Sequence, residues 1–170
     1  MPPSFLRQSA SAMSQQRIKT PCVGLCSTVY GDLVCRGCKR FHHEVVNWNL
    51  YGEEEKRAVW RRLEGLLVQV VQAKLEVIDA ALLRRQLEQR QIRFVVQQSP
   101  YCWAYQLIAR GARQIQQIEA YGITLLPEFR GSGLPELRDA IDREFFLLSE
   151  AHYQRYIAPR FLVDGEDIRV

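Results

Sequence analysis

Four of the chain's five cysteines stand between positions 22 and 38, in the order Cys22-x3-Cys26-x8-Cys35-x2-Cys38. No other feature restricts the fold as strongly. Two close pairs let two tight turns aim four sulfurs at one point, the arrangement of a tetrahedral metal site. The bridge "TVYGDLV" reads as a minimal hairpin, with Gly31-Asp32 as a two-residue loop between β-branched and aromatic residues. Gly24 and Gly37 fall inside the pairs, where the backbone must turn sharply and its N–H groups can face sulfur. Arg36, Lys39 and Arg40 bring positive charge to offset four thiolates. Paired disulfides or free thiols are the alternatives to a metal.

The N-terminus bears on that choice. "MPPSFLRQSASAM" lacks an apolar core of signal-peptide length, and Met13 offers a second start, so no export signal is expected. In the cytoplasm thiols stay reduced, which favours a metal over disulfides. Tetrahedral sulfur suits zinc or an iron–sulfur cluster, and geometry alone does not choose between them. Structural zinc is the default from the residues, because metal binding would supply folding energy to a head with little core of its own.

The remaining sequence reads as ordinary globular material, 47% hydrophobic and 25% charged over 170 residues, with no apolar run long enough to span a bilayer. Residues 14–62 carry nine Lys/Arg against five Asp/Glu, whereas residues 99–170 carry eight against ten. A basic head beside a mildly acidic body invites an anionic partner for the head.

The expected organisation is a disordered tail (1–19), a four-cysteine metal module (20–50), a helical body (51–160) and a second tail (161–170). Residues 52–90 read as one long helix, with apolar positions at Val59, Leu63, Leu66, Val70, Ala73, Val77 and Ala80 alternating steps of four and three. Gly52 suits its N-cap, Glu53, Glu54 and Glu55 suit the positive end of its dipole, and Arg84, Arg85 and Arg90 suit the other end. The width of the stripe fits burial in a bundle or a dimer, so homo-oligomer contact through residues 59–82 is one expectation. "IRFVVQ" (92–97) suggests a strand. "YCWAYQLIARGARQIQQIEAYG" suggests a second helix closing at Gly122, and residues 135–157 a third beginning with Pro135. The fold class is mainly α: a small four-cysteine knuckle or hairpin module followed by a body of about three main helices.

Other chemistry-bearing residues have plainer readings. His42 and His43 follow the last cysteine of the cluster, but four cysteines already fill a tetrahedron, so they read as the start of a short helix. Cys102 reads as a buried small hydrophobe rather than a nucleophile served by His152. Tyr101, Trp103 and Tyr105 with Arg110 and Arg113 could stack single-stranded nucleic acid, but at helical spacing they read as core and rim. Glu136, Asp139, Asp142 and Glu144 read as a solvated face, there being no Glu-x-x-His pair for a di-iron site.

Taken together, "PCVGLC", "LVCRGCKR", "EVVNW" and "EEEKRAVWRRL" resemble the domain-of-unknown-function 1289 family, small bacterial cysteine-rich proteins described as predicted iron–sulfur proteins. The resemblance covers roughly residues 20–64. It rests on the proline before Cys22, the "CRGC" at 35–38, Trp48 and the acidic-to-basic helix start at 53–62. It implies Cys22, Cys26, Cys35 and Cys38 as ligands and strengthens the iron–sulfur option, and it carries no activity. "FHHE" departs from the family pattern, as do the hundred or so residues that follow the resemblance.

The function expected is non-catalytic: a cytoplasmic zinc or iron–sulfur protein acting as adaptor or regulator. Its basic head would present Arg36, Lys39 and Arg40 to a protein or nucleic acid, away from any membrane. The rival is an iron–sulfur redox, electron-transfer or sensor protein linked to an oxidoreductase or RNA-modifying system.

Overall fold

In the computed structural model, which describes residues 18–163, the chain is mainly helical with one small sheet. The cysteine head holds a 3-10 turn (Ser27–Tyr30) and the short helix α1 (His42–Val46). The body follows as α2 (Glu53–Gln72), β1 (Leu75–Val77), α3 (Ala80–Gln89), α4 (Pro100–Gly111), β2 (Ile123–Leu125), α5 (Leu134–Tyr156) and α6 (Ala158–Val163). The tail expected at 1–19 and the alternative start at Met13 lie, up to residue 17, outside the described residues, as does the second tail beyond residue 163.

The helix expected over 52–90 is in fact two helices with a strand between them. α2 starts as anticipated, with the Glu55 carboxylate accepting the N–H of Gly52 at 2.7 Å. It stops at Gln72, and the alternating Leu75-Glu76-Val77 enters an antiparallel pair, Leu75 opposite Leu125 and Val77 opposite Ile123. Asp79 then restarts the helix by accepting the N–H of Leu82 at 2.8 Å. Gly122 (φ +74) sits where a Cβ would lie 2.5 Å from the Asp79 carbonyl, so only glycine lets the two strands' ends approach.

Residues 92–97 are not a strand. The second helix ends at Gly111, and a 3-10 turn (Ile118–Tyr121) carries the chain to Gly122. Leu134–Tyr156 matches the third expected helix.

The core forms where α2 lays Val59, Leu63, Leu66, Leu67, Val70 and Val71 against α4 and α5. Burying an aliphatic side chain of this size stabilises by about 1.5–3 kcal/mol, so these six contribute more than any cap or ion pair on the helix. α4 and α5 of the same chain thus cover most of the apolar stripe that the sequence offers for contact between copies. Among the described residues no helix is long and apolar enough to cross a membrane.

Candidate metal centre

The cysteine head is built on one tight turn laid across another. The N–H of Cys35 donates to the Arg40 carbonyl and the N–H of Lys39 to the Cys35 carbonyl, both at 2.8 Å, which folds residues 35–40 back on themselves. A single antiparallel bridge, Val34 to Phe41, closes the base. The hairpin therefore lies around Cys35–Cys38, not around Gly31-Asp32. The bridge between the cysteine pairs is instead the 3-10 turn, ended by Gly31 at φ +97.

Gly24 has φ +96 and its N–H donates to the Cys22 sulfur at 3.4 Å, so the first expected sharp turn is present. The left-handed residue of the second turn is Lys39 (φ +61) rather than Gly37. Gly37 is glycine for another reason: a Cβ there would lie 2.6 Å from the Leu25 carbonyl oxygen. The turn at 35–38 rests directly on the segment 25–27. The Cys35 thiol faces the Leu25 carbonyl at 3.7 Å, and the Ser27 hydroxyl accepts the N–H of Arg36 at 2.8 Å.

All five cysteines are free thiols. Burial alone would raise the Cys35 thiol, but the N–H groups of Cys38, Ser27 and Gly37, with the Cys38 thiol, hold it down to about 7. Burial raises the Cys38 thiol, partly offset by Arg40, whose Nε donates to that sulfur at 3.3 Å. Cys26 shares a hydrogen bond with the Thr28 hydroxyl at 3.0 Å, and Cys22 is exposed. Nitrogen donors thus face three of the four sulfurs, and they outweigh burial at Cys35 but offset it only in part at Cys38. Among the described residues no three His, Cys, Asp or Glu side chains stand together as ligands to one ion would. The donor chemistry fits a thiophilic metal, and the two turns that carry the donors are docked on each other.

Residues 20–67 match the family model "Protein of unknown function (DUF1289)". No curated protein and no solved structure matches the chain. The DUF1289 segment takes in the whole cysteine head, α1 and most of α2, and leaves β1 through α6 outside.

Around the DUF1289 segment, the basic residues take unlike positions. Arg36 is exposed, paired with Asp32 at 3.0 Å and lying over the Phe146 ring. Lys39 and Arg40 are buried: Lys39 turns inward to Asp142 on α5, and Arg40 stacks over Trp48 at 5.0 Å beside Cys38. His42 is exposed at the start of α1, and His43 is half-buried between Phe41 and Phe161, its Nδ1 without a hydrogen-bond partner among the described residues. Cys102 and Trp103 are core residues.

Several supporting residues carry little or no mark in the sequence. Ser27 and Thr28 bond the turns locally, and their position directly after Cys26 was the available signal. Asp142 and Glu144 leave the expected idle acidic face to pair with the buried Lys39 and Lys74. Nothing local in the sequence could have named those partners.

Proposed function

We propose that residues 20–50 hold one metal centre through Cys22, Cys26, Cys35 and Cys38, and that the protein acts without catalysis as an adaptor or regulator built on that head. The observation that carries this reading is the docking of the 35–38 turn on residues 25–27, with N–H donors facing the sulfurs. Such donors lower thiolate basicity and hold sulfur in place for a cation, and they serve no purpose for a buried apolar thiol. Zinc bound there would contribute folding energy directly. An iron–sulfur cluster would add one-electron chemistry and shift the role to redox or sensing.

With Lys39 and Arg40 turned inward, contact with a partner falls to what the head leaves outside. Val23, Leu25, Val29 and Tyr30 are all exposed, with Arg36 among the same residues. Apolar side chains gathered on so small a head suit a protein partner.

Elemental analysis of anaerobically purified full-length protein tests the reading. A colourless sample with about one zinc per chain supports the structural site, and a brown one with iron and acid-labile sulfide supports the cluster. Cys35→Ser should lose the metal and expose residues 20–50 to protease while the far-ultraviolet dichroism of the helices persists. Metal-free protein in which the C35S change alters nothing would end the proposal.

A further inference from the structure

The charge of the chain is concentrated where the cysteine head is not. Residues 18–163, which leave out Arg7, Arg17, Arg169, Asp164, Glu166 and Asp167, hold 20 Lys/Arg and 16 Asp/Glu. Residues 80–121 hold six arginines and two acids, Glu88 and Glu119, so this stretch alone matches the whole net excess. It corresponds to α3, α4 and the segments joining them to the 118–121 turn. α3 packs against both α4 and that turn, which gathers Arg84, Arg85, Arg90, Arg93, Arg110 and Arg113 on one unit.

All six arginines are exposed. Among the described residues only Arg84 of the six has a carboxylate partner, Glu88 at 2.8 Å, while Arg90 lies over the Tyr121 ring at 4.9 Å. Elsewhere on the surface Arg36, Arg57, Arg61 and Arg138 are paired with acids, whereas Arg130, Arg143, Arg155 and Arg160 have no carboxylate partner among the described residues and lie singly among acidic neighbours in the sequence. A group of guanidinium side chains left without counter-charges raises the local potential and attracts a polyanion.

The residue types narrow the polyanion. Every cation in the stretch is arginine, whose fork matches phosphate oxygens in a bidentate way. The exposed neighbours are largely amides, such as Gln89, Gln91, Gln97 and Gln114, which hydrogen-bond to sugars, phosphates and base edges. Two of the unit's aromatics, Trp103 and Tyr105, are engaged within the fold and not free to stack bases. Trp103 is tied by its indole N–H to the Val95 carbonyl at 2.9 Å and packs edge-on to Phe94, and Tyr105 bonds Asp142. A lipid surface would need large apolar side chains to insert, and the exposed apolar residues here are only Val95 and Val96.

We infer that the α3–α4 unit binds the phosphate backbone of double-stranded nucleic acid without reading its sequence. The inference does not rest on the metal reading, because all six arginines lie outside residues 20–50.

Fluorescence anisotropy of full-length protein with labelled DNA and RNA duplexes of one sequence tests it. Five phosphate contacts, from the arginines other than Arg84, imply an affinity that falls about 500-fold between roughly 50 and 200 mM salt. The variant Arg85→Gln/Arg93→Gln/Arg110→Gln/Arg113→Gln should bind at least about tenfold more weakly at 50 mM and lower the salt slope by about three to four. The control Arg57→Gln/Arg61→Gln should bind as the parent does. Tighter binding of one duplex type names the nucleic acid. Equal losses in both variants would overturn the inference. So would duplex binding no tighter than that of polyglutamate or phosphatidylserine vesicles, or no duplex binding at 50 mM salt.

Discussion

Lys39 of the cysteine turn and Asp142 of α5, 103 positions apart, form an ion pair that fastens the head to the body. The two partners are unlike. The Lys39 side chain is 3% exposed and that of Asp142 50%. Lys39 also donates to the Gly37 carbonyl at 3.2 Å, inside the Cys35–Cys38 turn, and its ammonium lies over the Phe145 ring. The Tyr105 hydroxyl donates to the same Asp142 oxygen at 3.3 Å. Head position and helix packing therefore share one charge pair.

That asymmetry predicts unequal costs. Asp142→Ala leaves an ammonium buried with a single carbonyl partner, at a cost of about 3 kcal/mol. Lys39→Met leaves a half-exposed carboxylate that water and Tyr105 can serve, so about 1 kcal/mol is expected. Urea unfolding of the two variants measures the difference. Equal losses would mean that the pair carries no such burden.

Glu44 and Arg62 make a second clamp, inside the DUF1289 segment. Both carboxylate oxygens accept from Arg62 at 2.8 and 2.9 Å, and one also accepts the N–H of Phe41 at 2.9 Å. The guanidinium lies 3.6 Å from the Phe41 ring centroid. Glu44→Ala removes the cap of α1 and strands Arg62, so a loss of about 3 kcal/mol or more is expected. Glu44→Gln keeps the acceptor but not the charge and should lose less. Thermal melts that rank the two variants the other way would show that the charge is not what holds Arg62.

His43 supplies a prediction about acid. Burial lowers its pKa below the usual 6.5, with Glu44 opposing and Arg62, His42 and Arg160 adding to the shift. A histidine depressed in the folded state favours folding above its unfolded pKa, and that contribution is lost as pH falls from about 6.5 through the folded value. Among the described residues Nδ1 has no partner, so His43→Leu removes an unsatisfied buried atom. The variant should be at least as stable as the parent near pH 7.5 and lose less stability by pH 5. Parallel pH profiles for the two would refute this.

The sequence disclosed what local pattern controls and concealed what distance controls. Gly52 with Glu55 starts α2, Pro135 opens the last long helix, and the stripe from Val59 to Val70 faces the core, all as periodicity and capping dictate. The break at 73–79 hid because the stripe's steps of four and three run on through Val77 and Ala80. Only the capping Asp79 and the alternation of Leu75-Glu76-Val77 marked it. The hairpin forms at Cys35–Cys38 and not at the Gly-Asp pair, and its Gly37 lies against the Leu25 carbonyl, a contact that turn propensity does not contain. The cysteine spacing named four thiols, but the inward turn of Lys39 depends on Asp142, which no local pattern contains.

Cys102 is the cysteine outside the cluster, and its chemistry should separate cleanly from the other four. It is 2% exposed between α2 and α4, and burial, with the Glu64 charge adding to it, pushes its thiol up to about 12. At pH 8 about one thiol in ten thousand is then ionised, too few for reaction with a disulfide reagent. Native metal-free protein and the Cys102→Ala variant should therefore give the same thiol count, with the variant one lower in denaturant. The linkage runs toward alkali. A thiol raised in the fold contributes fully below its unfolded pKa of roughly 8.5, and that contribution is lost as pH rises toward the folded value. Between pH 9 and pH 11 the parent should lose about 1 kcal/mol more per pH unit than Cys102→Ala. A native thiol count that drops in the variant would place Cys102 at the surface and remove both expectations.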